Sequence, residues 1–221
     1  IWLPECAYAP GLDRLLADEE LKFFFLESSS VLLGSPRPRH GTRAPVATPG
    51  GPAAFPRDIA VANQVWGSRD GFPGHPLYRE FYRDLAFDAE LGYLEPFLHS
   101  DQVRRALGIK YHRITGRVPL YAKEPWDPVA ARSQARAHAR EFVEARLAEA
   151  AGRAAGRPPL IVATFDAELF GHWWFEGPWF VEELFREMAA RNWALRPVTP
   201  SEWLERYGPG EVVQPAGGTW G

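Results

Sequence analysis

Short apolar runs alternate along the chain with stretches in which apolar residues recur at helical spacing. The apolar runs are too short for helices and predict strands, while the periodic stretches predict helices. The predicted strands are 1–6, 21–26, 160–166, 194–199 and 211–214. The predicted helices are 11–20, 77–86, 98–108, 127–152, 178–191 and 201–207, the last capped by Ser201. Strands that alternate with helices indicate an α/β fold.

Residues 28–58 interrupt this pattern with six prolines and four glycines. A segment of this length and composition is typical of a functional lid or of disordered chain. Because it lies between candidate site residues, we interpret it as a mobile cover with Gly50-Gly51 as its hinge.

Two of the predicted strands are followed by a carboxylate. Glu5 ends the first run and Asp166 ends the run 160–166, with His172, Trp173 and Trp174 shortly after it. The carboxyl ends of strands carry the site in parallel α/β folds. A pair of carboxylates near aromatic rings is what a sugar-cleaving site needs, since they can share nucleophilic and acid/base work.

The composition narrows the classes of partner. The net charge is −3 and no basic face is evident outside one helix, so nucleic acid is not expected as the main partner. No apolar run approaches the ~20 residues that span a bilayer. One cysteine excludes an internal disulfide framework and fits a reducing cytoplasm. Nine tryptophans indicate surfaces that are apolar in body and polar at the edge, or else a tryptophan-rich core.

Several separate motifs resemble glycoside hydrolase family 57, most closely its 1,4-α-glucan branching group. The segment around Glu5 looks like the one that holds the nucleophile of that family, and the segment around Asp166 like the one that holds its acid/base. The similar stretches are residues 2–8, 64–68, 72–74, 78–84, 110–116, 123–128, 164–174, 212–215 and 219–221. The resemblance therefore covers nearly the whole chain.

The resemblance implies a fold and a division of the chain. The family is built on an incomplete (β/α)7 barrel with helical additions, and its early histidine-containing motifs are missing here. We therefore expect an excerpt from the C-terminal part of the barrel, with further strands upstream of Ile1. Residues 1–76 would be barrel strands with the lid loop, 77–157 a mostly helical insertion, and 158–221 the last barrel strands and the start of the C-terminal region.

The resemblance also implies roles for the two carboxylates. Glu5 would attack the anomeric carbon and form a covalent glycosyl-enzyme, and Asp166 would act as acid and then as base, with retention. The family needs no metal or other cofactor. The expected partner is an α-glucan such as amylose or a glycogen-like polymer, bound by a monomer that does not engage nucleic acid or membrane.

Four further residues are candidates for substrate binding. Resemblance places Trp66 and Trp220 near the glucan path, where their rings would stack on sugar faces. Of Trp173 and its neighbour Trp174, at most one needs to face the cleft, and we take Trp173. His172 would hydrogen-bond a sugar hydroxyl, with a structural histidine as the alternative.

Other chemistries remain open at the level of sequence. Asp166, Glu168 and His172 are suitable metal ligands, although their spacing is loose.

Branching members carry a tyrosine on the loop over the site, whereas no tyrosine lies between Tyr8 and Tyr78 here. A loop that excludes water favours transfer over hydrolysis. The alternatives to branching are thus a 4-α-glucanotransferase, an α-amylase-like hydrolase, and a non-catalytic glucan-binding protein.

Overall fold

The structure is a computed structural model that describes residues 1–67, 70–151 and 158–220. In chain order the α-helices are α1 (Leu12–Asp18), α2 (Ser28–Leu32), α3 (Ile59–Trp66), α4 (Leu85–Asp88), α5 (Leu91–Leu94), α6 (Pro128–Ala151), α7 (Gly177–Ala190) and α8 (Pro200–Tyr207). The strands are β1 (Phe23–Leu26), β2 (Val46–Ala47) and β3 (Ala53–Pro56). Short 3-10 turns lie at Pro4–Cys6, Phe72–Gly74, Glu95–Phe97, Leu120–Ala122 and Ala167–Leu169. Ser68, Gly152, the predicted chain break at Gly156-Arg157, and Gly221 lie outside the described residues.

The chain divides into two compact units. The first comprises Ile1–Ala62, Ala145–Phe165 and Ala194–Gly221, and the second comprises Asn63–Glu144 and Asp166–Trp193. Each unit combines segments from distant parts of the sequence. The three consecutive segments expected from the sequence stay a prediction.

The first unit is built on a three-stranded mixed sheet in the order β1-β3-β2. β1 runs parallel to β3, with Phe23 opposite Ala53, and β2 runs antiparallel to β3. Trp2 forms one further parallel bridge to Phe25. This bridge is all that remains of the strand predicted at 1–6, because the chain turns at once into the 3-10 turn Pro4–Cys6.

Both faces of this sheet are covered, which explains its continuous apolar strands. Phe24 and Leu26 belong to a core cluster with Tyr8 and Val213, whereas Phe23 and Phe25 pack against a second cluster. That second cluster consists of Ala53, Phe55, Leu160, Val162 and Trp203. Since alternate residues of a strand point to opposite faces, the run of three phenylalanines serves both clusters.

The sequence interpretation of residues 28–58 as one long loop is wrong. This segment supplies α2, β2 and the central strand β3. The Gly50-Gly51 pair is the tight turn between β2 and β3, where Gly51 N donates to Thr48 O at 3.0 Å. Gly50 N also donates to the Asp13 carboxylate at 2.7 Å, so the expected hinge is tied to α1.

Three other predicted strands do not form. Residues 211–214 have only isolated bridges, Gln214 to Ser35 and Val212 to Ala47. Residues 158–166 contain no strand: Leu160 N donates to Arg43 O and Val162 O accepts from Asp58 N, which both lie in irregular chain. Residues 194–199 contain no strand either. The described residues therefore form a mixed α/β arrangement with one small sheet, and they do not show the predicted barrel.

The predicted helix 77–86 forms only at its end. Residues 77–84 are irregular and are held by backbone bonds, with Glu80 N donating to His112 O and Ile114 N to Tyr78 O. Of this predicted helix, only the part within α4 is helical, and Asp84 caps its first turn. Residues 98–108 form no helix, and at their end the carboxylate of Asp84 accepts from the amides of Leu107 and Gly108.

The two long helices, α6 and α7, confirm their periodic sequence pattern. α6 and α7 begin and end within two residues of the predicted bounds, apart from the undescribed end of α6. The exposed arginines of α6 pair with glutamates of α7. These pairs are Arg132–Glu182 at 2.9 Å, Arg136–Glu183 at 3.0 Å and Arg140–Glu187 at 3.6 Å.

In the first unit, Thr199 and not Ser201 caps α8, in a reciprocal pair with Glu202.

Among the described residues, no helix combines the length and the apolar character that a membrane crossing requires.

We predict that Gly50→Ala destabilises the first unit. An added Cβ would lie 2.7 Å from the backbone of Asp13 and Arg14, which cannot move without displacing α1. Forcing atoms into such a packed site costs about 1–3 kcal/mol. Chemical unfolding should report this loss, whereas Gly92→Ala, whose Cβ would meet nothing within 4 Å, should not lower stability. Equal stabilities of the two variants would contradict the prediction.

We also predict that acid destabilises the second unit through His138. Burial, with His75 nearby, lowers the pKa of His138 from 6.5 to about 4. Its Nδ1 lies 2.8 Å from the Tyr78 hydroxyl, and its ring stacks on Phe72. Because the unfolded chain binds the proton first, stability is complete above pH 6.5 and falls as the pH drops towards about 4. The total loss from this group is roughly 3 kcal/mol.

The measurement is the free energy of unfolding between pH 7.5 and 4. His138→Gln retains an amide that can partner the Tyr78 hydroxyl but removes the titrating group. Its stability should therefore vary less with pH across this window. An identical slope in the variant and the unmodified protein would contradict the assignment.

Candidate active site

The backbone at Glu5 adopts a conformation that non-glycine residues rarely take. Both Glu5 and Cys6 lie in the left-handed region, with φ of 55° and 48°. The turn is closed by Cys6 N donating to Leu3 O at 3.0 Å and by Ala7 N donating to Pro4 O at 2.9 Å. Cys6 is buried and its sulfur accepts the indole N–H of Trp2, while Glu5 is exposed. Such strained positions cluster at functional sites.

Trp220 binds the Glu5 side chain directly. Its indole N–H donates to Oε2 of Glu5, and its backbone N–H donates to Glu5 O at 3.0 Å. The hydroxyl of Thr219 donates to the same carbonyl at 2.9 Å. The indole thus holds one of the two carboxylate oxygens, Oε2, while the other two bonds hold the backbone of Glu5.

Two charged residues that the sequence analysis missed lie around Trp220. The guanidinium of Arg57 lies over the Trp220 ring, 4.9 Å from its centroid, and also binds the carboxylate of Glu27. Glu27 directly follows β1 and Arg57 directly follows β3. Because β1 and β3 are parallel, both residues stand at the same edge of the sheet. Charges placed directly after strands were the signal that could have identified them.

The ring of Trp2 completes this environment. Its centroid lies 5.2 Å from that of Trp220, with the planes at 85°. Such an edge-to-face contact between aromatic rings is favourable. Trp220 is partly exposed and in contact with Glu5, consistent with its predicted place at the site.

Asp166, the other predicted carboxylate, belongs to the second unit and is exposed. It immediately precedes the 3-10 turn Ala167–Leu169, and its carbonyl accepts from Leu169 N at 3.0 Å. Its side chain makes no cap bond to that turn.

The two adjacent tryptophans have opposite environments. Trp174 is 1% exposed and packs among Phe72, Tyr78 and Phe180, whereas Trp173 is 44% exposed. The indole N–H of Trp173 donates to Glu168 at 3.0 Å. Of these two tryptophans, only Trp173 therefore has a ring that a ligand could reach, and it is the one that the sequence analysis took as a candidate.

The remaining predicted binding residues also belong to the second unit. His172 is exposed and its ring lies edge-on to Trp173 at 5.0 Å. Trp66 ends α3 and is 44% exposed. Neither side chain is withdrawn into the core, and their binding roles stay predictions.

Within the described residues, no three or more His, Cys, Asp or Glu side chains form a group that could hold a metal ion. Asp166, Glu168 and His172 are therefore not arranged as a metal centre, and the metal interpretation has no support from this geometry.

The comparisons with known proteins agree on one family. The family model of glycosyl hydrolase family 57 matches residues 1–215. A probable 1,4-alpha-glucan branching enzyme of Mycobacterium tuberculosis is 34% identical, over all of this chain and 38% of its own length. The chain thus spans less than half of that relative.

Solved structures give a similar result. The alpha-amylase AmyC from Thermotoga maritima matches with a TM-score of 0.93 and 41% identity, over all of this chain and 43% of that one. A family 57 branching enzyme from Thermococcus kodakaraensis, crystallised with glucose, matches with a TM-score of 0.81 and 31% identity, over all of this chain and 42% of its own. With the family model covering nearly every residue, the chain belongs to glycosyl hydrolase family 57.

Proposed function

We propose that this chain is part of a retaining α-glucan-active enzyme of the branching type. The observation that supports this most is the geometry at Glu5. A strained turn at the end of a strand-like segment presents its carboxylate to solvent, and an indole N–H holds one of its two oxygens. A carboxylate fixed in this way is prepared for attack on an anomeric carbon.

The first step breaks the α-1,4 bond. An oxygen of Glu5 forms a bond to C1 of the donor sugar while the bond from C1 to the leaving O4 breaks. Asp166 in its acid form gives its proton to that leaving oxygen. The products are a free glucan end and a glycosyl ester on Glu5.

The second step forms the branch. The 6-hydroxyl of an acceptor glucan attacks C1, its proton passes to the carboxylate of Asp166, and the ester bond to Glu5 breaks. Two inversions at C1 give retention overall. The rings of Trp66, Trp173 and Trp220 are proposed to stack on glucosyl units, with His172 bonding a hydroxyl.

Hydrolysis of the α-amylase type is the second candidate. Residues 28–58 hold no tyrosine, and the parts of them that form α2, β2 and β3 leave less chain for a cover over the site. The identity to the amylase AmyC also exceeds the identity to the branching enzyme structure. In this candidate, water replaces the acceptor 6-hydroxyl in the second step.

Product analysis of the full-length protein on amylose separates the candidates. New α-1,6 links, detected by debranching and loss of iodine colour, support branching. Reducing ends without new branches support the hydrolase, and longer linear products support a 4-α-glucanotransferase. Glucan retention without any product would show that the chain only binds.

We predict that Glu5→Gln abolishes turnover while folding and glucan binding persist. The amide is nearly isosteric but is a poor nucleophile. Asp166→Asn should also inactivate the enzyme, and a substrate with an activated leaving group should partly restore its first step. Rates of glycosyl-enzyme formation on such a substrate provide the measurement. Full activity of either variant would refute its assigned role.

We further predict that Trp220→Phe lowers kcat. Phenylalanine retains a ring for packing against Trp2 but removes the N–H that orients the Glu5 carboxylate. Losing one charge-assisted hydrogen bond costs about 1.5–3 kcal/mol, which corresponds to roughly a ten- to hundredfold decrease. Trp193→Phe, an exposed tryptophan of the second unit, provides the matched control and should retain its rate. An unchanged kcat for Trp220→Phe would argue against this orienting bond.

A further inference from the structure

Phe81 lies against the tryptophan that follows the Asp166 segment. Its ring and that of Trp173 stack with centroids 4.8 Å apart and planes at 23°. Phe81 is partly buried and Trp173 is 44% exposed. The irregular segment 77–84 thus supports, from a distant part of the sequence, the one ring of the adjacent pair that a ligand can reach.

Trp173 is held by its own segment as well. Its indole N–H donates to Glu168 at 3.0 Å, and the ring of His172 lies edge-on at 5.0 Å. The following residue, Trp174, is buried, which anchors the backbone. With Phe81 stacked on the ring, these contacts restrict Trp173 to one orientation.

Phe81 is itself fixed by a buried charge pair. The ammonium of Lys110 lies over the Phe81 ring, 5.5 Å from its centroid, within the range of a cation–π contact. That ammonium binds the carboxylate of Asp84 at 2.9 Å, and both side chains are nearly inaccessible. Phe175 stacks on Phe81 at 6.4 Å. Phe81 therefore has little freedom to turn away from Trp173.

We propose that Phe81 is a positioning residue for glucan binding, which acts by keeping the Trp173 ring in the orientation that stacks on a glucosyl unit. This inference rests on the proposed function. A half-exposed tryptophan without such support would lose side-chain freedom on binding, and prior ordering avoids that cost. Phe81 also lies edge-on to His172, but at a longer centroid distance of 6.1 Å, so its effect should pass mainly through Trp173 and affect binding more than chemistry.

The test compares Phe81→Leu with Phe81→Tyr in the full-length protein on amylose. Removing the ring contact should raise KM about three- to tenfold, as expected from the energy of a stacked aromatic pair, with kcat nearly unchanged. Tyrosine retains the ring and should restore a KM close to that of the unmodified protein. Phe97→Leu is the matched control, because it removes an exposed ring of the same unit whose ring contact is with Tyr93.

A double-mutant cycle separates positioning from a structural effect. In a Trp173→Ala background, Phe81→Leu should raise KM no further, because the ring that it positions is already absent. Additive effects, an unchanged KM for Phe81→Leu, or an equal effect of Phe97→Leu would each overturn the inference.

The outcome for Trp173→Ala alone distinguishes this inference from the proposed function. If that variant binds glucan normally, Phe81 has no substrate-binding ring to position and the inference fails. The assignments of Glu5 and Asp166 would stand, since their own variants test them. Migration in native gels containing amylose gives the same binding comparison without turnover, so the inference stays testable even in a protein that only binds.

Discussion

The pairing between residues 5–8 and the end of the described chain is the constraint on which the candidate nucleophile depends. Tyr8 and Gly218 exchange both backbone hydrogen bonds, at 2.9 and 3.0 Å, and Trp220 N donates to Glu5 O. This register brings the Trp220 indole to the carboxylate of Glu5. A Cβ at Gly218 would lie 2.8 Å from the Ser30 hydroxyl, so a larger residue there would require the Ser30 side chain to move.

The parallel pairing of β1 and β3 determines the electrostatic surroundings of that carboxylate. Glu27 and Arg57 emerge at the same edge of the sheet and bind each other, with both side chains mostly buried. Removing either partner would leave a buried charge without compensation, which is more costly than the pair itself. The guanidinium over the Trp220 ring therefore has a fixed position, and it supplies positive charge beside the indole that holds Glu5.

The second unit uses buried ion pairs where regular structure is absent. Arg79 binds the fully buried Glu176 at 3.0 Å; burial raises the pKa of Glu176, and the guanidinium opposes that shift. Lys123 binds Glu80 at 3.1 Å in the same irregular region. Charged side chains here bind backbone groups as well as each other, as in the bonds of Lys123 to Ile114 O and of Tyr82 N to Glu80. The chain can therefore follow the irregular path that places Phe81 against Trp173.

The sequence by itself determined the features that depend on local periodicity and on local motif. It located α6, α7 and the apolar run of β1. It also indicated Glu5 and Asp166, whose roles stay predictions. It also identified the family, because the motifs are distributed along the whole chain. These features depend on neighbouring residues, and a single sequence records them directly.

Only the tertiary structure decided how segments pair over long distances. β3 lies in a Pro/Gly-rich stretch that has the composition of a loop, yet it becomes the central strand because β1 and β2 satisfy its backbone on both sides. Conversely, residues 160–166 have strand composition but meet no strand partner in the described chain. A strand exists only where another strand takes up its hydrogen bonds, and that partner is set by the folded chain and not by local composition.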